Sequence, residues 1–226
     1  MSGLLITGTD TDSGKTLVSL GLMAALQKQG HSVNGFKPVA AGSRIHQGQK
    51  VNDDALLLLQ QASDSSLEYS QVNPYLFDEP VAPHLAAQRE STEIALEVLR
   101  KAYLEIAANS DWIIVEGAGG WLVPLNPEYS VADLAIELDL PVIVVVGLKL
   151  GCINHARLTV ESVLARGCKL TGWVGSQLDR DMLYLDDNIQ TLKHYLPAPC
   201  LGIVPYLQSP TAESVAKCID TSGILK

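Results

Sequence analysis

The chain has 226 residues, 47% hydrophobic and 18% charged, a balance that excludes wholesale disorder and allows a sizeable core. Its length favours one large domain over residues 1–226 rather than two. Lys and Arg number 16 against 25 Asp and Glu, a net charge of −9, which argues against a general nucleic-acid binder.

In chain order, Leu4 to Thr7 reads as a first strand and Lys15 to Gln29 as a helix ended by Gly30. Val33 to Val39 reads as a second strand. Asp53 to Gln61 and Ser91 to Ala108 read as helices. Trp112 to Val115 and Val142 to Val146 are strands without polar alternation. Cys152 to Arg166 is a helix, Leu170 to Val174 a strand, Leu183 to Tyr195 a helix and Cys200 to Val204 a strand. A short helix follows from about Thr211. Strands apolar on both faces belong in a parallel sheet covered by helices. The alternation predicts a doubly wound, mostly parallel α/β fold of P-loop type. Ligands in such sheets sit beyond the carboxyl ends of the strands, here the loops after Thr7, Val39, Val115, Val146, Val174 and Val204.

The first of these loops runs Gly8-Thr9-Asp10-Thr11-Asp12-Ser13-Gly14-Lys15-Thr16 and opens the first helix. It is one residue longer than the G-x-x-x-x-G-K-[ST] pattern, yet its chemistry is kept. Gly14 admits a phosphate, and the amides of the helix start point at it. Lys15 supplies charge to the β- and γ-phosphates of ATP, and the Thr16 hydroxyl can ligate Mg2+. Glu116 follows a buried strand, at the place of a Walker-B acid, and Gly117-Ala118-Gly119-Gly120 after it reads as a loop allowing close approach. Asp53 and Asp54 stand before the helical stretch 55–61, where N-capping and metal binding are both open readings. Lys37 ends the second strand and can neutralise a phosphoryl oxygen. Lys149 to His155 leads into a helix whose N-terminus can meet a carboxylate.

The cysteines at 152, 168, 200 and 218 form no C-x-x-C pair and read as reduced, mostly buried thiols. The start of the chain carries no secretory pattern. The longest apolar stretch, around Leu140 to Leu148, is broken by Pro141 and Gly147. These features set the expectation of a cytoplasmic protein with no membrane partner.

Taken together, Gly8 to Thr11 with Gly14-Lys15-Thr16, Lys37-Pro38-Val39, Val72 to Tyr75, Pro83-His84, Val115 to Trp121 and Lys149 to His155 resemble the dethiobiotin synthetase family over residues 4 to 207. The resemblance implies a homodimeric ligase closing the ureido ring of dethiobiotin from 7,8-diaminononanoate, CO2 and ATP with Mg2+. It implies that the nucleotide lies along Asp12, Ser13, Gly14, Lys15, Thr16 and Leu17, and that Asp54 and Glu116 complete the metal site with Thr16. Gly117, Ala118 and Gly119 then face nucleotide and substrate. Lys37 and Lys15 flank the transferred phosphoryl group, with Thr11 near the carbamate. Lys37, Ala41 and the helix start Gly151, Cys152, Ile153 and Asn154 would meet the diamine, the last segment across the dimer interface. Ser176, Gln177, Pro205, Tyr206 and Leu207 would form the base pocket. Departures from the family are Asp12 for Glu, Ala41 for Ser, Ser176 for the Asn that reads adenine, and Asn188 for a Tyr near the substrate tail.

Two rival readings belong to other classes. Partition-type ATPases place a signature lysine where this chain has Asp10, and a cobyrinate-type amidase needs a glutaminase domain that nothing here resembles.

Overall fold

The computed structural model describes residues 2–225. A six-stranded parallel sheet forms its centre, in the order β10-β9-β8-β1-β7-β2. Its strands are β1 (Ser2–Gly8), β2 (Val33–Phe36), β7 (Trp112–Gly120), β8 (Val142–Leu148), β9 (Leu170–Gln177) and β10 (Cys200–Val204). Successive side chains point to opposite faces, so each strand feeds two cores. Leu5, Val115 and Val144 pack under α5 (Leu96–Ala107), α6 (Val131–Glu137), α7 (Cys152–Ala165) and α8 (Leu185–Tyr195). Ile6, Ile114 and Val145 pack against α1 (Lys15–Lys28), α2 (Asp53–Gln61) and α9 (Ala212–Ala216). This is the doubly wound parallel arrangement expected from the apolar strands.

β1 lies in the middle of the sheet, between β8 and β7, so the loop after Gly8 emerges with the carboxyl ends of both neighbours beside it. The stretch 33–39 is two strands rather than one. β2 ends at Phe36, and β3 (Val39–Ala41) leaves the main sheet to pair in parallel with β6 (Tyr75–Phe77). The break falls at Lys37-Pro38, where proline supplies no N–H to continue a ladder. A two-stranded antiparallel ribbon, β4 (Arg44–His46) with β5 (Gln49–Val51), follows. Two short helices, α3 (Tyr69–Val72) and α4 (Pro83–Arg89), precede α5.

The Gly117–Gly120 run is not a loop but the end of β7, where Gly120 pairs with Gly8. β8 runs on to Leu148 and β9 to Gln177. The helix read from Ser91 starts at Leu96, because 92–95 is irregular, with Ile94 buried and Ala95 extended as the cap. Among the four cysteines only Cys152 is buried; the other three free thiols are half-buried.

Candidate functional site

The first-strand loop turns sharply before α1. Asp12 (φ 57) and Gly14 (φ 91) both sit in the left-handed region, which asparagine, aspartate and glycine adopt most readily. The turn points the amides at the start of α1 into a cleft of about 820 Å³. Thr11, Asp12, Gly14, Lys15, Thr16 and Leu17 line one side of it. Lys37, Ala40, Ala41, Asn52 and Asp54 line another, Ala118 and Gly119 the floor, and the segment Pro80 to Pro83 the opposite wall.

At the floor stands a cluster of charges. Glu116 is fully buried, with its Oε1 accepting hydrogen bonds from the Thr16 hydroxyl at 2.9 Å and the Lys37 ammonium at 2.6 Å. Lys37 also donates to Asp54 Oδ2 at 2.9 Å. Burial works against the charge on Lys37, but Glu116 and Asp54 outweigh it and raise its pKa above that of a free lysine. Burial likewise opposes ionisation of Asp54, and the Lys37 charge more than offsets it, so the Asp54 pKa is lowered. Lys15 has the reverse balance: burial, then repulsion from Lys37, lower its pKa. Its ammonium donates to the Asp10 carbonyl at 3.1 Å.

The two open readings of Asp53 and Asp54 resolve by geometry. α2 begins at Asp53, and its cap is Asn52, whose side chain accepts from the amides of Asp54 and Ala55. Asp53 pairs on the surface with Arg44, whereas Asp54 turns inward to Lys37. Asn52 is a cleft residue that sequence reasoning missed; a capping asparagine one position before an acidic pair was the available signal.

Thr16, Asp54 and Glu116 therefore converge from three elements. Glu116 Oε2 is buried and has no hydrogen-bond partner among the described residues. A hydroxyl and two carboxylates, one of them with an orphaned oxygen, are the hard-oxygen donor set that suits Mg2+, so the residues present fit the metal.

Asp10 ties this loop to the neighbouring strand end. Its Oδ1 accepts from the Thr11 amide at 2.8 Å and its Oδ2 from Lys149 at 2.9 Å. That second contact is the largest influence lowering the Asp10 pKa. Gly151, Cys152, Ile153 and Asn154 follow at the start of α7, outside the lining of the cleft, with Gly151 in the left-handed region and Cys152 buried. Thr11 lies exposed at the rim, near Gly119.

The five residues expected at the base divide. Ser176 is buried, with its hydroxyl beneath Gly14. A separate hollow of about 430 Å³ is lined by Gln177, Arg180, Pro205, Tyr206 and Gln208, while Leu207 is half-buried beside it. The Gln177 amide bridges this hollow: it donates to the carbonyl of Asp179 at 3.1 Å and accepts from the Tyr206 amide at 3.2 Å.

A parallel sheet with a glycine–lysine–threonine loop after its central strand, and a buried acid in the carboxyl half of the adjacent strand, defines a P-loop nucleoside-triphosphatase-type protein. Solved structures agree at the level of fold. A ParA family ATPase from Chlorobium tepidum superposes with a TM-score of 0.60 at 11% identity, covering 99% of this chain and 92% of that one. The septum site-determining protein MinD complexed with Mg-ADP from Pyrococcus horikoshii gives 0.57 at 14% identity, covering 97% and 86%. The family model described as an AAA domain matches residues 2–214. Curated relatives are far closer in sequence. The ATP-dependent dethiobiotin synthetase BioD of Cellvibrio japonicus is 48% identical over 97% of this chain and 96% of its own length. That of Pseudomonas aeruginosa is 45% identical over 97% and 96%. The chain belongs to the ATP-dependent dethiobiotin synthetase family, a family of ligases.

Proposed function

We propose that this chain closes the ureido ring of dethiobiotin from 7,8-diaminononanoate, CO2 and ATP in a single domain. The observation that carries the reading is the pair of buried lysines, Lys15 and Lys37, beside Thr16, Asp54 and Glu116 at the floor of one cleft. In the proposed sequence one substrate amine adds to CO2, loses a proton and becomes a carbamate. A carbamate oxygen then attacks the γ-phosphorus of ATP, and ADP leaves. The second amine attacks the carbamate carbon of the resulting carbamic–phosphoric anhydride, loses a proton and expels phosphate, which closes the ring.

The protein's part is alignment and charge balance rather than covalent catalysis. The amides from Gly14 onward and Lys15 hold the phosphates. Lys37 balances the charge that grows on the phosphoryl group in flight. Thr11 and the Ala118–Gly119 backbone border the carbamate, and Ala41 borders the diamine; Gly117, expected beside them, is buried against Val131 and does not line the cleft. Thr16, Asp54 and Glu116 would hold Mg2+, which when bound neutralises phosphate oxygens. The start of α7, Gly151 to Asn154, would take the substrate carboxylate from a neighbouring copy in a homodimer. Gln177 and the residues 205–207 would cradle the base. Among the described residues no helix is long and apolar enough to cross a membrane; a cytoplasmic location and small-molecule partners fit a biosynthetic ligase.

The test is phosphate release with ATP and Mg2+. Release that depends strongly on the diamine and bicarbonate supports the ligase. Release that depends instead on a protein or DNA partner would place the chain with the partition ATPases whose fold it shares. The Asp10 position already argues against that reading, since it carries an acid held by Lys149.

A further inference from the structure

Two buried cations face two carboxylates at the cleft floor, and their charges cancel: Lys15 and Lys37 against Asp54 and Glu116. The remaining nearby acids are disposed elsewhere. Asp10 is paired with Lys149, Asp53 with Arg44, and Asp12 stands exposed at the rim. Lys37 does more than neutralise. Its ammonium lies 2.9 Å from Asp54 and 2.6 Å from Glu116, so it bridges both carboxylates of the metal donor set. Thr16, the third donor, already gives its proton to the Glu116 oxygen that Lys37 contacts.

A bare divalent cation approaching this floor gains little. It must share two carboxylates with an ammonium that already holds one oxygen of each, and sit among two lysine charges. A triphosphate changes the balance. Its oxygens bring several negative charges, offer the ammonium new acceptors and so free the carboxylates for the metal. We infer that Lys37 is the resident counter-ion of the metal position, which makes the site selective for the metal–triphosphate complex over free metal. The inference rests on the assignment of Thr16, Asp54 and Glu116 as metal donors. Lys37 thus carries a specificity role in binding that precedes its role at the phosphoryl group.

The test uses Mn2+ as the probe, with free Mn2+ read by electron paramagnetic resonance on the full chain. Without nucleotide, Lys37→Met should bind Mn2+ on the order of tenfold or more tightly than wild type, since one opposing charge in contact with the donors is gone. The gain should vanish when Asp54→Asn is added. Equal affinities for wild type and Lys37→Met, or a gain that survives Asp54→Asn, would overturn the inference. Lys37→Met leaves Glu116 buried without its cation and can cost the fold. Wild type alone supplies a second arm. With a non-hydrolysable ATP analogue bound, its Mn2+ should be held on the order of tenfold or more tightly than by the chain alone and than by the analogue free in solution, because the triphosphate draws the ammonium away; affinity no higher than that of the free Mn2+–analogue complex overturns the inference. Unchanged Mn2+ affinity of Glu116→Gln and Asp54→Asn with the analogue bound removes the metal assignment and the inference with it. Weakened binding there, with no gain from Lys37→Met, removes the inference only.

Discussion

Ser176 packs its hydroxyl directly beneath Gly14, so that a Cβ added to the glycine would collide with it. The contact joins the end of β9 to the turn of the phosphate loop. Gly14 also holds φ 91, so alanine there meets both backbone strain and a clash. Gly14→Ala should therefore weaken ATP binding by at least about tenfold, the equivalent of roughly 1.4 kcal/mol, within the usual cost of a strained backbone position. Titration calorimetry with ATP checks it; affinity equal to wild type would mean that the loop relaxes freely.

The same burial bears on the base. With its hydroxyl under the loop, Ser176 has no group that fronts the hollow formed by Gln177, Pro205 and Tyr206. The Gln177 amide is engaged with Asp179 and Tyr206. An amide that both donates to and accepts from one base edge is the pattern that separates adenine from guanine. Discrimination among ATP, GTP and CTP should be weak, and Ser176→Asn should shift it toward ATP. The ratios of kcat/KM for the three triphosphates decide the matter; a preference of several orders of magnitude for ATP in the unaltered chain would refute it.

Lys37→Ala should slow ring closure on the order of 10²-fold or more while changing ATP affinity much less, because a preorganised charge counts most where charge develops. Single-turnover rates alongside nucleotide binding separate the two effects. Near-normal turnover at saturating substrates would reduce Lys37 to a structural cation.

Glu116→Gln and Asp54→Asn should each raise the Mg2+ concentration needed for half-maximal turnover, since each removes one anionic oxygen from a hard-cation site. Asp54 also has a signature in stability. Its folded pKa is lowered below the ordinary 3.8. In the window between the folded and unfolded values the unfolded chain binds more protons, so stability rises with pH there. The contribution is complete above 3.8 and is lost as pH falls through the folded value. Asp54→Asn should remove this acid-side slope from the urea unfolding free energy; an unchanged slope would show that Asp54 does not gain from Lys37.

Lys149→Met should raise the KM for ATP a few-fold and leave the melting temperature close to wild type. The pair with Asp10 is about half exposed, at 41% and 46%, where such pairs contribute roughly 0–1 kcal/mol to stability. Its weight lies in the loop, since Asp10 also holds the Thr11 amide and, through its carbonyl, Lys15. A KM equal to wild type would detach Lys149 from the phosphate loop.

Much of the site was legible in order along the chain. Residues 14–16, 37, 54 and 116 each stood at the carboxyl end of a readable apolar strand or at the start of a readable helix, where side chains of a parallel sheet gather. What escaped reading lacked periodicity. The Gly117–Gly120 run has only the Ala118 methyl as a side chain and so nothing to favour a strand, yet its backbone pairs beside Gly8 because the sheet supplies the partner. The break at Lys37-Pro38 was hidden by apolar residues on both sides, and only proline's missing N–H marked it. The wall from Pro80 to Ala82 belongs to no regular element, and Pro83 only opens the short α4, so no pattern announced that this segment faces the cleft. Ser176 was readable as an aligned position but not as a direction; its turn toward Gly14 depends on where β9 ends relative to the loop.

Thr16 and Glu116 touch across 100 positions of sequence, through strands that pair only when the sheet is assembled. No local segment of the chain can hold this constellation by itself. Occupancy of the cleft and integrity of the whole sheet are therefore one equilibrium, and a ligand that needs both ends of that contact is a probe of global folding. At a concentration a hundred times its dissociation constant such a ligand adds about 2.7 kcal/mol to the unfolding free energy. A chain that has lost its edge strands should lose nucleotide binding with them, even with the phosphate loop intact.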